Sequence, residues 1–282
     1  MTAGTMFAIW LGEQITEQGI GQGISLIIFG GIVAQIPANL LGLVSLPDPT
    51  ARVFSIISFI ILTVLTVLVI VIVQEGQRRI PVQYGRRVRG RKVYQGQSTH
   101  IPLKVNTAGM IPIIFAQSIL TFPALIAQFF ITNEGGFVDG AAQWVNLQFG
   151  TQSTFLYWFI YFILVVGFTF FYTDVMVQQQ RLWETLQRQG GFIPGIRPGK
   201  KTQDYIMSVV RRITLVGAVF LGIIAILPGI LQAVGRLFRI PGIEQSALVI
   251  TGAGLIIVVG VVIDTMRQLE AQLIMRHYES FI

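Results

Sequence analysis

Charge is scarce in this chain, and that scarcity decides its class. Only 12% of the 282 residues are Asp, Glu, Lys or Arg, about half the share usual in a soluble domain. Cysteine is absent, which excludes disulfides and thiolate metal sites and leaves compartment unread from redox chemistry. Histidine occurs only at His100 and His277. Neither has neighbouring ligands, so no metal site and no cofactor is expected. No ionisable residue lies in the middle of a long apolar run, so nothing is placed to relay protons or ions at membrane depth. That absence disfavours a coupled transporter and favours a passive conduit.

Nucleotide chemistry is missing as well. Gly19, Gly21 and Gly23 form a G-x-G-x-G string, but no strand pattern precedes them and the rest of the fingerprint is lacking. Gly199-Lys200-Lys201-Thr202 resembles the end of a phosphate loop only superficially. A lysine occupies the Ser/Thr position, and Gly195 stands at the wrong spacing. Any energy source therefore belongs to a partner. Asp174 and Asp264 sit at the ends of apolar runs without a G-x-G-D motif, and read as helix-end carboxylates rather than a protease dyad. The chain is expected not to be an enzyme.

What the sequence does have is apolar length. Hydrophobic residues make up 53% of it, and mean hydropathy is +0.69. Six runs approach the roughly 20 residues that a bilayer-spanning helix needs. They lie near Ile24–Leu43, Val53–Val73, Ala108–Ile131, Thr154–Val177, Ile213–Val234 and Ala247–Ile263. The expected fold is an all-α polytopic membrane protein with six transmembrane helices. Residues 1–12 are apolar but have no basic n-region and no cleavage site, so they do not read as a signal peptide.

The few charges are distributed unevenly. Eight Lys and Arg fall in 76–107, seven in 178–212 and two after 263; the opposite side has one in 44–52, none in 132–153 and two in 235–246. Under the positive-inside rule both basic loops and both termini are cytosolic. The chain divides accordingly into a cytosolic segment at 1–22, spans in 23–75, a basic loop at 76–107, and spans in 108–177. A second basic loop follows at 178–212, then spans in 213–265 and a cytosolic tail at 266–282.

The first basic loop, Gly76–Lys104, carries Arg78, Arg79, Arg86, Arg87, Arg89, Arg91, Lys92 and Lys104. Ile80, Val82 and Tyr84 alternate as in a strand, and Gly85 and Gly90 suit turns, so the loop is predicted to stand up from the membrane surface as a basic prong. The second loop begins as a helical extension, Val177–Gln189, stopped by Gly190-Gly191. In FIPGIRPGKKTQDY that follows, Pro194, Gly195, Pro198 and Gly199 are predicted to brace a turn presenting Arg197. Thr202 is predicted to cap the next helix. Pro37, Pro112, Pro123 and Pro228 interrupt the spans, and Gln35, Asn39, Gln117 and Gln128 place polar groups at membrane depth. Such residues are expected to face a bundle interior or a pathway.

Three stretches are more specific. QRRIPVQYGRR…GRKVYQGQSTHIPLKVNTAGMIPIIFA (77–116) resembles the fourth cytosolic loop and seventh helix of SecY, the central subunit of the bacterial protein-translocation channel. FIPGIRPGKKTQDYI…RRITLVGA (192–218) is similar to its fifth cytosolic loop and ninth helix, and TMFAIWLGEQITEQGIGQGISLIIF (5–29) to the stretch joining its fourth and fifth helices. Departures are small: Gln22 replaces the common asparagine of GIGNGIS, and Pro81 enters the first loop. The resemblance implies the C-terminal half of a ten-helix channel, its fifth to tenth helices, with the N-terminal half supplied by a separate chain or a missing segment.

The same resemblance implies the sites. Ile24, Ile28, Ile114 and Ile257 match an aliphatic pore ring, which blocks ions by dewetting yet yields to an extended polypeptide. Arg86, Arg87, Arg91, Lys92 and Arg197 match docking positions for the ribosome, whose RNA is a phosphate surface suited to arginine, and for the motor ATPase SecA. Gly109, Pro112 and Pro123 are hinge candidates in a lateral-gate helix. SecE, SecG, unfolded preproteins with their signal sequences, and the lipid bilayer are the other implied partners. The implied location is the bacterial plasma membrane. A secondary transporter for a small solute, which polar, proline-broken spans also fit, is the alternative.

Overall fold

The computed structural model describes residues 2–19, 21–44, 49–84, 87–89, 92–94, 98–131, 136–150, 154–197, 199–238 and 252–279. The chain falls into two compact units, 1–71 with 226–282, and 72–225.

In the first unit, α1 (Thr2–Gln18) packs closely on the start of α2 (Gly23–Val44), and α2 also packs on α9 (Gly252–Glu279). The helices α1 and α2 meet backbone to backbone: a Cβ at Gly23 would lie on the carbonyl oxygen of Gly12. The Thr16 hydroxyl ties the crossing, donating to the Gly12 carbonyl at 2.8 Å and accepting from the Gly23 N–H at 2.9 Å. This contact is what part of the Gly19/Gly21/Gly23 string serves. Most of α3 (Pro49–Glu75) belongs here too. Its exposed side is almost wholly aliphatic, from Val53 to Ile72, as bilayer contact demands.

The second unit contains the hairpin and three spans. Strand β1 (Gln77–Tyr84) pairs antiparallel with β4 (Ser98–Lys104), Ile80 facing Ile101 and Val82 facing Thr99, and β2 (Arg87–Arg89) pairs with β3 (Lys92–Tyr94). The predicted prong is thus a β-structure, with Ile80 and Val82 buried and Arg79, Pro81 and Gln83 exposed. The alternation works because a strand turns successive side chains to opposite faces.

Helix α4 (Ile111–Phe130) packs on α6 (Phe155–Gln180), Phe115 stacking on Phe168 at 6.1 Å. The side α4 buries is mostly small, with Ala116, Ala124 and Ala127 beside Leu120. Small residues let membrane helices approach closely where apolar burial provides no drive. Helix α6 buries every fourth residue from Tyr157 to Val177. Helix α8 (Lys200–Phe238) meets it at Gly222, where a Cβ would stand 2.6 Å from the Phe162 ring.

Five described helices are long and apolar enough to cross a membrane, containing Gly23–Gly42, Arg52–Glu75, Ile111–Phe130, Phe155–Arg188 and Lys200–Val234. These carry the first five predicted spans. Of the sixth, residues 247–251 lie outside the described residues, and Gly252–Ile263 are helical. Within the expected tail, α9 continues to Glu279 without a break. The extension of the fourth span is corrected. It breaks at Arg181, in the left-handed region at φ 42°, before α7 (Leu182–Arg188). The break lets Leu182, Trp183 and Leu186 turn towards the β-hairpin. Finally, 132–153 is not merely a connection: α5 (Phe137–Val145) and a π-helical turn at Asn146–Gly150 fold back onto α4.

Two contacts fix the hairpin's root. The Val105 N–H donates to the Gly76 carbonyl at 2.9 Å, and α8 crosses Val105 so closely that a Cβ at Gly217 would stand 2.6 Å from its carbonyl oxygen. Gly217→Ala is therefore expected to destabilise the protein by about 1–3 kcal/mol, the usual range for overpacking, while Val216→Ala on the exposed side is near neutral. Thermal unfolding of the detergent-purified variants checks this; equal midpoints would remove the contact from the account.

Candidate functional site

The two basic loops fold as one body. Strand β5 (Gly191–Phe192), from the second loop, adds to the free edge of β1, pairing Tyr84 with Gly191 and Gln83 with Phe192, so the sheet order is β4-β1-β5. Beneath it Ile80, Val82 and Leu103 of the sheet share a core with Val177, Leu186, Ile193, Ile206 and Val210. Burying each large aliphatic side chain contributes roughly 1.5–3 kcal/mol. The exposed Tyr84 hydroxyl, which donates to Gln189 Oε1 at 3.3 Å, contributes about 0.5–1.5 kcal/mol at best. Apolar burial, not this hydrogen bond, joins the loops. Gly191 fits the joint closely, since a Cβ would stand 2.8 Å from Leu186 Cδ1 and 3.0 Å from the Tyr84 ring and would force the buried Leu186 to shift.

Arg197 stands exposed on the tip of this body. Ile193–Ile196 make a turn closed by the Ile196 N–H to the Ile193 carbonyl at 3.1 Å. Pro194 and Gly195, with φ +82°, meet the demands of a type II turn. Ile193 is buried in the core and Ile196 packs against it, so the turn is anchored on both sides of its glycine. The expected cap is corrected: Gly199 opens α8, its carbonyl receiving the N–H groups of Thr202 and Gln203. The buried Thr202 instead donates its hydroxyl to the Arg197 carbonyl at 3.0 Å, clamping the tip from below.

Of the other predicted docking residues, Arg87 and Lys92 lie on the β2–β3 pair. Arg86 and Arg91 lie outside the described residues. At the base of the hairpin Arg78, Arg79 and Lys104 are exposed. Asp174 pairs with Arg211 at 3.7 Å, an exposed ion pair that contributes little to stability. Asp264 is exposed on α9, and no cluster of three metal-ligating side chains exists among the described residues.

The predicted pathway residues have distinct settings. Ile24 is exposed and Ile28 half-buried on one face of α2 with Gln35, which is exposed. Ile257 on α9 is buried, 7% accessible. In the other unit, Ile114 is exposed and shares a face of α4 with Gln117, Thr121, Leu125 and Gln128, all exposed. The helical period places these at i, i+3, i+7, i+11 and i+14. The glutamines thus do not face the interior of this chain, because the side of α4 packed on α6 is built of alanine and leucine. The Asn39 side chain lies outside the description.

Among the hinge candidates, Gly109 has φ +66°. Asn106 holds it reciprocally, Oδ1 accepting the Gly109 N–H at 2.9 Å and Nδ2 donating to its carbonyl at 3.2 Å. Pro112 lies in the first turn of α4, where a missing N–H breaks no helical bond. Pro123 lies inside the helix and leaves the Ile119 carbonyl without its i+4 donor.

Comparison with known proteins places this architecture. The SecY family model matches residues 1–266. The chain belongs to the SecY family. It is 46% identical to the protein translocase subunit SecY of Halalkalibacterium halodurans, over all of this chain and 64% of that protein. It is 43% identical to the same subunit of Thermus thermophilus, over 99% of this chain and 61% of that one. It therefore spans less than two thirds of the length of these SecY relatives. A solved protein-conducting channel superposes with TM-score 0.59 at 19% identity, over 96% of this chain and 63% of that one. A SecY protein whose plug domain stabilises the closed state of its translocation channel gives TM-score 0.56 at 18% identity, over 95% and 64%. Both likenesses establish the fold: an all-α polytopic membrane protein of the SecY type.

Sequence reasoning missed three features of this SecY-family chain: the β5 edge, the Asn106 clamp and α5. Only α5 left a usable signal, its apolar spacing Val138, Ala141, Ala142, Val145 being helical. Gly191→Val is expected to prise β5 from β1 and to speed trypsin cleavage after Arg188 and Lys200, whereas Tyr84→Phe leaves cleavage nearly unchanged. Equal cleavage of the two variants would mean that the loops are not joined at Gly191.

Proposed function

We propose that this chain forms the C-terminal half of a protein-conducting channel in the bacterial plasma membrane, with both its termini cytosolic. It passes unfolded secretory proteins outward and releases membrane segments sideways into the lipid bilayer. The observation that carries the reading is membership of the SecY family over residues 1–266. The joined basic loops support it, since a rigid cationic platform suits a large anionic partner such as ribosomal RNA. In this reading Arg86, Arg87, Arg91, Lys92 and Arg197 dock the ribosome or the motor ATPase SecA. An N-terminal half, SecE and SecG complete the channel. No cofactor takes part.

The mechanism is conformational. Ile24, Ile28, Ile114 and Ile257 form an aliphatic constriction that excludes water and ions when empty. The mixed face of α4 supports the place of Ile114, since Gln117 and Gln128 are poorly solvated by hydrocarbon and gain from a wet pathway. Docking at the platform shifts a closed–open equilibrium by binding the open state more tightly. Helix α4 moves as a gate about Gly109, Pro112 and Pro123.

Arg197→Glu is expected to slow preprotein translocation into inverted membrane vesicles while channel abundance, read by immunoblot, stays level. Undiminished translocation would sink the docking role. Ile114→Asn is expected to raise ion conductance of the resting channel in planar bilayers. A silent Ile114→Asn channel that still translocates would remove Ile114 from the constriction.

A further inference from the structure

Gly109 stands between the β-hairpin and α4 with φ +66°, a backbone region that glycine enters as readily as its mirror image. Nothing crowds it there: a Cβ built on Gly109 would meet no non-adjacent atom within 4 Å. Packing therefore does not force the positive φ. What holds it is Asn106, whose Oδ1 accepts the Gly109 N–H at 2.9 Å while its Nδ2 donates to the Gly109 carbonyl at 3.2 Å. The chain is fixed on both sides of this joint. Upstream, Val105 is bonded to Gly76 and lies under Gly217, and the Thr107 hydroxyl donates to the Lys104 carbonyl at 3.0 Å. Downstream, the Met110 carbonyl accepts the Ile113 and Ile114 N–H groups and α4 begins.

We infer that Asn106 is a positioning residue whose amide latches α4 in the resting state and lets go when α4 moves. The inference rests on the reading of α4 as a gate. Asparagine is what the joint needs, because one short side chain must both accept from Gly109 and donate to it; an ionised aspartate only accepts. Asn106 is buried, 8% accessible. A half-released amide would find neither Gly109 nor water, and that cost makes the joint two-state rather than gradually soft. Below the joint, the side that α4 buries is mostly alanine, and apolar packing in lipid has no hydrophobic drive. Two hydrogen bonds at its root are then a sizeable part of what sets the direction of α4.

The test is a spin-label distance measurement in the membrane complex, its other subunits made free of cysteine. This chain has no cysteine, so labels attach only where cysteines are introduced. Phe129→Cys on α4 with Phe155→Cys on α6, at side chains 86% and 83% exposed, spans the joint. Gln83→Cys with Phe155→Cys stays on one side of it and serves as reference. Asn106→Asp is expected to raise a second α4–α6 distance population about two- to twelvefold, the usual worth of one hydrogen bond, with the reference pair unchanged. Translating ribosomes added to the channel with Asn106 intact are expected to populate the same second distance. If ribosomes shift the distance and Asn106→Asp does not, the latch is overturned while the gate reading stands. If neither shifts it, the gate reading fails and the latch with it. A shift in Asn106→Asp alone supports the latch and removes the ribosome as its release. Broadening of both pairs overturns the latch, because it reports loss of structure rather than release. Should Asn106→Asp fail to accumulate, Gly109 decides. Gly109→Asn tolerates the left-handed region and is expected to keep one population, whereas Gly109→Ala raises the second; equal populations overturn the proposal.

Discussion

Everything on the basic side of this protein depends on the apolar core shared by its two loops. Each loop alone is a poor structure: an eight-residue strand and a seven-residue strand in one, a seven-residue helix and a two-residue strand in the other. An isolated two-stranded hairpin is marginal in water. Joined, they bury Val82 and Ile206 almost completely, and the core is continued by Val177 of α6 and Val210 of α8. The platform is therefore built on the ends of two spans rather than tethered to them. A cationic surface that is to meet a large partner in one orientation needs that rigidity, since ordering long side chains and loops on binding weakens association.

Inside the membrane a different constraint applies. Apolar side chains gain nothing by leaving lipid for one another, so close backbone approach and packing must hold the spans together. The contact of Gly222 with Phe162 and the alanine side of α4 are answers to that constraint. The same logic leaves polar groups conspicuous. Gln117, Thr121 and Gln128 occupy the side of α4 that no described helix of its unit needs for packing, although Ser118 and Thr121 each satisfy their hydroxyl on the preceding turn.

Much of this was legible in the sequence because its signals are long. Twenty apolar residues, a run of arginines and a two-residue alternation survive any error of a residue or two, and five of the six expected spans and the hairpin appeared where expected. Short-range chemistry was readable where the residue type leaves little choice: Pro194-Gly195 dictates its turn. Ambiguous chemistry was not. Thr202 is as good a helix cap as any threonine, and only the proximity of the Arg197 carbonyl decides otherwise. The Arg181 break was hidden because no glycine or proline marks it. Gly191-Phe192 is too short to carry a pattern, and its role as an edge strand depends on residues a hundred positions earlier. The proposed pathway residues rest on family resemblance alone, since one isoleucine in a membrane span looks like any other.

Helix α8 has a mechanical meaning. From Thr202, clamped to the Arg197 carbonyl, to Gly217, pressed on Val105, it runs without a turn or a proline. At 1.5 Å per residue this is a strut of about 22 Å. One end carries the exposed arginine, and the other bears on the residue next to Asn106, which fixes the approach to α4. A load placed on the arginine meets no slack before it reaches the root of that span.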